Sequence, residues 1–351
     1  MWRSGIGVAG ESRPRQPAAR LAIQCVAGTI LGLLSILLSG CATAPATVQD
    51  SPPYAFAVLD DGSPAARHAP VFVPQNYTAL YNRIGTPRAR RNEAGNVRVY
   101  VDPIEPTVYL QQQTFTTARG HFTNYIYRVH LPQVPVRWIP FHLTAGPNGG
   151  LIVIVTVDAA DRPLLLTTVH TCGCYLAMVP TQFYPRDALP LNWPAAGNTQ
   201  KVYGERLPAR LGYSPAPPSS DRVAVWLREG THRIMHLERV DQQALTSRYR
   251  VIPMAMRDAD DLLALPLPGG GTTSFFYESG RNQGYVKNTR KPFERLLMSW
   301  WALDWNVGVD KRLGPAAETG TVFYTSLKPW ARQESDLWNF PAFLDFWGFT
   351  L

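Results

Sequence analysis

Thiols are scarce in this chain of 351 residues. Four cysteines are too few for a disulfide-dense miniprotein. Charge is also sparse, at 17% of residues against 45% hydrophobic, which excludes an intrinsically disordered chain. Long apolar runs are limited to one, Leu21–Leu38, which excludes a multi-span membrane protein. Lysine is nearly absent, with five against 29 arginines, a bias of genome composition rather than of a nucleic-acid surface. The sequence contains no Walker phosphate loop, dinucleotide glycine fingerprint, Gly-x-Ser-x-Gly elbow or His-Glu-x-x-His helix. Nucleotide and energy-coupled chemistry is thereby disfavoured. A hydrolase assembled from distant strands is not.

What the chain does have is an address. Arg3, Arg13, Arg15 and Arg20 make a basic start, Leu21–Leu38 an apolar stretch, and Leu38-Ser39-Gly40-Cys41 a small-residue cut site. This is the three-part layout of a secretory signal. Leu38-Ser39-Gly40-Cys41 resembles the lipobox of bacterial lipoproteins. The resemblance covers the first 41 residues, and it implies cleavage before Cys41, acylation of the Cys41 thiol and anchoring in the membrane by fatty chains. Ala42 in the following position, rather than an aspartate, points by the same resemblance to the periplasmic face of the outer membrane. The competing reading is an uncleaved anchor, since 18 residues approach the length of a single span. With residues 1–40 removed (four Arg, one Glu, net +3), the net charge falls from +8 to +5. The densest basic cluster, Arg88, Arg90 and Arg91, reads as a solvated loop. Nucleic acid is not an expected partner.

Residues 41–70 read as a flexible tether rich in Ala, Pro, Ser, Thr and Asp. The rest, 71–351, reads as a globular domain with a possible subdivision near 270. Val97–Val101, Thr107–Gln111, Tyr125–Leu131, Trp138–Leu143, Leu151–Val157, Leu164–Val169, Val223–Leu227 and Arg233–Val240 carry strand signals. Ala145–Gly150 reads as a hairpin turn and 185–218 as a long Pro-rich loop. Apolar residues at 293, 296, 297, 300, 301 and 303 predict a helix opened by Pro292. Thr321–Ser326 reads as a further strand, and a last short helix opens at Ser335. The expected class is α+β: a mainly antiparallel β domain with a Trp-rich helical C-terminal part. Six of the ten tryptophans lie between Trp300 and Trp347. They read first as core and second as an aromatic platform for a sugar or lipid.

One stretch has chemical content: His170-Thr171-Cys172-Gly173-Cys174. Once Cys25 is removed with the signal and Cys41 acylated, Cys172 and Cys174 are the remaining thiols, in an oxidising compartment. Three outcomes stay open. A disulfide would need the chain to bend at Gly173. A soft-metal site would use His170, both thiolates and Met178, a donor set suited to copper. Two inert buried thiols is the third. His121, His130, His142, His232 and His236 read as structural or surface histidines, and Asp258, Asp260 and Asp261 as a solvated helix start. Two polar loops, around Glu278, Arg281, Asn282 and Gln283 and around Asp304, Asp310 and Lys311, are equally turns or ligand contacts. The functional expectation is a non-catalytic binding or assembly module of the cell envelope, with an unknown envelope protein or ligand as partner. The alternative is a periplasmic enzyme, either a hydrolase on an envelope polymer or a thiol/copper redox protein using His170, Cys172 and Cys174.

Overall fold

Alternating apolar residues set the strands, and strands dominate. The computed structural model describes residues 51–213 and 221–351. In chain order the strands are β1 (Tyr54–Val58), β2 (Val71–Pro74), β3 (Thr86–Arg91), β4 (Val97–Asp102), β5 (Thr107–Thr117), β6 (Gly120–Val134), β7 (Gly146–Asp158) and β8 (Pro163–His170). They continue with β9 (Ala177–Pro180), β10 (Thr199–Val202), β11 (Glu205–Pro208), β12 (Asp221–Leu227), β13 (Ile234–Asp241), β14 (Arg250–Asp258), β15 (Leu265–Pro266) and β16 (Thr272–Thr273). Ten of them form one sheet in the order β13-β12-β2-β1-β14-β5-β6-β7-β8-β9. The sheet is mixed: β1 with β14, β2 with β12 and β5 with β14 run parallel.

One face of this sheet closes over a shared core that draws Phe56 and Phe72 from one half and Tyr127, Val153 and Val225 from along its length. The sheet therefore coils nearly into a barrel. The hairpin β10–β11 sits between its two edges. Gln200 donates to the Met178 carbonyl in β9 (2.9 Å), while Glu205 pairs with Arg233 (3.1 Å) and Arg228 at the β12–β13 turn. The opposite face of β6–β8, presenting Ile126, Ile152, Ile154 and Leu165, is covered by Leu313, Phe323, Phe340, Phe343 and Phe349 from the last forty residues. β6 and β7 are buried on both faces over most of their length; β7 accordingly reads as a nearly continuous apolar run over Leu151–Val157, whereas β6 carries Arg128 and His130 into the interior.

The α+β expectation is overturned. Strand makes up 40% of the structure against 17% helix, so the protein is mostly β. The predicted helix exists as Pro292–Ala302, but the only other α-helix in the C-terminal quarter longer than four residues is Phe340–Phe346. Gly308, Gly314-Pro315, Gly320 and Pro329 interrupt the chain between them. Thr321–Ser326 is not a strand; it contributes a single bridge, Tyr324 to Asp336. The tryptophans are not core either. Trp300, Trp301, Trp305, Trp330 and Trp347 are exposed and Trp338 is half-buried.

Further readings change. Ala145–Gly150 is not a turn, because Gly146–Gly150 lie inside β7 opposite β6. Those glycines serve close approach. A Cβ on Gly150 would lie 2.6 Å from the Thr171 hydroxyl, and one on Gly146 would strike the Arg290 carbonyl. Trp138–Leu143 is a loop rather than a strand. The ordered fold also begins inside the stretch read as a tether, since β1 lies between β2 and β14. Residues Gln49–Leu351 cluster as one compact unit with no division near 270. Arg88, Arg90 and Arg91 stand on β3, where Arg88 pairs with Asp102 (3.2 Å) and Glu105 (2.5 Å).

Candidate functional site

The chain reverses just after β8. The His170 amide donates to the Cys174 carbonyl (2.9 Å) and the Gly173 amide to the His170 carbonyl (2.8 Å). Gly173 takes φ +92°, a conformation that favours glycine, and a Cβ there would collide with the Tyr324 carbonyl. The bend brings Cys172 and Cys174 together as a disulfide, with Cα atoms 5.6 Å apart. The His170 ring nitrogen and both sulfurs lie within 4.8 Å of one another. In this state each sulfur is bonded to the other, so neither is a thiolate donor. Met178, on β9, packs in the apolar layer with Ile152 and Phe323. Burial, with the Lys291 and Arg233 cations nearby, drops the His170 pKa to about 3, so the ring is neutral.

Beneath this turn lies a cluster of charged groups withdrawn from water. Lys311, fully buried, donates to the Cys172 carbonyl (2.7 Å), and its ammonium sits 3.8 Å from the centre of the Tyr324 ring. Arg128, on β6, donates through Nη1 to the Lys311 carbonyl (2.8 Å) and through Nε to His130 Nε2 (3.1 Å). Lys291 stands 3.8 Å from Asp310, both side chains almost wholly enclosed. The Tyr324 hydroxyl donates to Asp304 (2.5 Å). Burial pushes the Asp310 carboxyl up despite the surrounding Lys291, Arg128 and Lys311 cations, and it pushes the Glu294 carboxyl up as well. Burial lowers Lys311 to about 8. These groups lock the segment 291–324 onto β6 and the disulfide turn. They are enclosed, so they offer no entry to a substrate.

Access is found on the other side of Arg128. A cleft of about 310 Å³ opens over the outer face of β5–β7, with walls formed by Tyr109, Phe276, Trp338, Arg312 and Asp260. Arg128 lines it, only 5% exposed, with its guanidinium 5.1 Å from the Phe276 ring centre and its Nη2 without a hydrogen-bond partner. Burial lowers the Arg128 pKa to about 10, which leaves it cationic at neutral pH. A planar cation with an unpartnered donor beside aromatic walls can hold a carboxylate or phosphate in charge-assisted hydrogen bonds once the ligand reaches it.

Few of the other candidates converge. Asp258 caps the short 3₁₀ helix Ala259–Leu263 by accepting from the Asp260 amide (2.8 Å), and only Asp260 of the acidic trio lines the cleft. Asp304, Asp310 and Lys311 join the buried cluster. Glu278 pairs with Lys287 (3.4 Å), and Arg281, Asn282 and Gln283 belong to an exposed or half-exposed turn. His232 is buried on Asn82 (3.2 Å) while His236 is exposed, so the two do not meet. His121 bonds Thr116 (2.8 Å) and His142 the Pro135 carbonyl (2.9 Å). Cys41 lies outside the described residues. Among those residues no helix is long and apolar enough to cross a membrane.

Sequence reading missed Arg128, Lys291 and Glu294. Tyr125–Leu131 alternates between an apolar side (Tyr125, Tyr127, Val129, Leu131) and a side bearing Ile126, Arg128 and His130, a pattern of two unlike faces, yet the structure buries both. No family model, curated protein or solved structure matches the chain.

Proposed function

We propose that the protein is a lipid-anchored envelope module, carried at Cys41 on the periplasmic face of the outer membrane, which binds a small anionic ligand without transforming it. The observation that carries this reading is Arg128: a buried, cationic guanidinium with one donor unpartnered, on a residue that lines an open cleft. Arg312 stands on the same wall and supplies a second cation. Tyr109, Phe276 and Trp338 suit a ring or a compact apolar body attached to the anion. The lining contains no His, Cys, Ser or Thr, and its carboxylates, Asp260 and Glu318, stand among the same residues as Arg128 and Arg312, so the anion held there is a small one met by the two guanidinium groups.

The test is calorimetric titration of the mature protein with aromatic carboxylates, sugar acids and phosphates. At least one of these should bind. Arg312→Ala should weaken it about 10- to 100-fold, the effect of losing one charge-assisted hydrogen bond of roughly 1.5–3 kcal/mol. Arg128→Lys should weaken it further, with folding checked by circular dichroism. Affinity unchanged in a folded Arg312→Ala protein would refute the site.

A second reading rests on one observation: Cys174 is the half-buried cysteine of the pair, with His170 in reach. Reduced protein that takes up one Cu(I), with uptake abolished by His170→Gln, would make copper or thiol redox chemistry the activity instead.

A further inference from the structure

We infer that the helix Pro292–Ala302 and the loop 136–141 form a surface that seats on the headgroup region of an anionic bilayer. The helix is amphipathic in the reverse sense. Its buried residues are Glu294, Ser299 and Ala302. Its exposed ones are Leu296 (74%), Leu297, Trp300 (72%) and Trp301. The inversion is built in by the charge cluster behind it. Glu294 points to Gly308, where a Cβ would strike its carboxylate, and its neighbours are the Lys291 and Lys311 cations. With the polar residues committed inward, the apolar ones must face out.

The surface extends beyond the helix. Leu303 and Trp305 follow it, both exposed. Phe293 at its start touches Trp138 (ring centres 5.5 Å apart) and Phe141 (5.1 Å), which joins the helix to the loop that carries Ile139, 93% exposed. Isolated exposed apolar residues are ordinary, but a contiguous set of this size marks an interaction surface. Its indoles, leucines and isoleucine match the apolar face of an interfacial helix, and tryptophan favours the headgroup level.

Charge selects the partner. Arg290 is exposed beside the patch, and Arg295 lies over the Trp305 ring at 4.9 Å. The helix's one carboxylate is buried, Asp304 is held by Tyr324, and Glu229 is paired with Arg137 (3.6 Å). A cationic rim around an apolar centre complements anionic lipid. The chain's own geometry puts a bilayer within range, a step that rests on the lipid-anchor reading. Thirteen positions separate Cys41 from Tyr54, a reach of at most roughly 45 Å. A domain of this length is about 50 Å across.

The experiment uses the full chain, purified with its native processing and placed on phosphatidylglycerol–phosphatidylethanolamine vesicles in which part of the lipid is brominated near the headgroup end of the acyl chains. Tryptophan emission should shift to the blue and be quenched by about half, as expected for indoles at the interface. Leu297→Ser with Trp300→Ser and Trp301→Ser should abolish most of the quenching. Leu191→Ser, at an exposed position on another part of the surface, should leave it unchanged. All these positions are solvent-facing, so the variants should fold, and circular dichroism verifies that they do. Folded wild-type protein whose indoles stay unquenched overturns the inference, as does a patch that is protected instead within a dimer seen by sedimentation. The intact mass of the same sample reports acylation at Cys41 separately. Acylated protein without quenching refutes docking alone. Unacylated protein that still floats with anionic vesicles, and fails to do so in the triple variant, supports docking and refutes the anchor.

Discussion

Arg128 shows what burial does to a charged side chain. It cannot leave β6, whose neighbours are apolar on both faces, so it borrows a carbonyl from Lys311 and a ring nitrogen from His130. The partners lie far off in sequence: 183 positions separate Arg128 from Lys311. For that reason the polar loop containing Asp304, Asp310 and Lys311 could be noticed in the sequence, but not the cluster it completes. Of the buried histidines, His130 and His232 read as structural or surface residues and His170 as a metal-ligand candidate, and together they carry a measurable consequence. An unfolded histidine takes up its proton near pH 6.5, whereas folded His170 and His232 do so only at about 3. Between those values the unfolded chain binds more protons, so the fold loses stability as pH falls, by about 1.4 kcal/mol per pH unit for each ring. His130, held well below its ordinary value by burial and by Arg128, adds to the slope in the same direction. Asp310 and Glu294, raised by burial, oppose it, since the folded state keeps their protons to higher pH. Urea unfolding at stepped pH should therefore show stability declining below pH 6.5. His170→Asn with His232→Asn should flatten the slope by about 2.8 kcal/mol per pH unit, two rings' worth. A slope unchanged in the double variant would mean that these rings are protonated in the folded state.

Elements were legible where one period governed them. Val97–Val101 could be read from its alternation, Leu151–Val157 and Leu164–Val169 from short apolar, β-branched runs, and the β12–β13 hairpin from two such runs about a turn. The glycines before Leu151 misled because glycine both makes turns and lets chains approach, and only the partners, Thr171 and Arg290, tell which. Helix 292–302 followed its apolar spacing, but spacing does not say which stripe faces inward, and the usual assumption fails when a buried ion cluster claims the polar stripe. The Cys172–Cys174 turn is the element most exposed to backbone error. Gly173→Ala adds a Cβ against the Tyr324 carbonyl at φ +92°. The expected cost is about 2–4 kcal/mol, combining left-handed backbone strain with a contact that cannot relax cheaply. A denaturant midpoint within error of wild type would show that the turn moves freely against the C-terminal segment.

At the scale of the molecule, the least legible feature was topology. Nothing in the local pattern announces that β1 runs parallel to β14 or that β2 runs parallel to β12, because both are pairings between distant segments. The near-closure of the sheet was equally hidden, although the hairpin that performs it sits inside a stretch read as loop. Glu205 is the joint, 8% exposed and paired with Arg228 and Arg233. Glu205→Ala leaves two half-buried guanidinium groups without their carboxylate and should destabilise the protein by about 1–3 kcal/mol. Amide exchange should accelerate first in β9 and β13, the two edges that the hairpin bridges; uniform acceleration would mean that the sheet does not depend on it.

The position of β1 has a consequence in time. Tyr54 pairs in register with Arg250, 196 positions later. At 5–20 residues per second, a ribosome makes the second strand some 10–40 s after the first. Throughout that interval Tyr54–Val58, later a central strand, has an unpaired edge and an apolar side with nothing to cover it. Newborn chain in transit is thus most open to proteases and to its own kind well before its last residues are joined, and an escort that shields the first strand would protect the whole product.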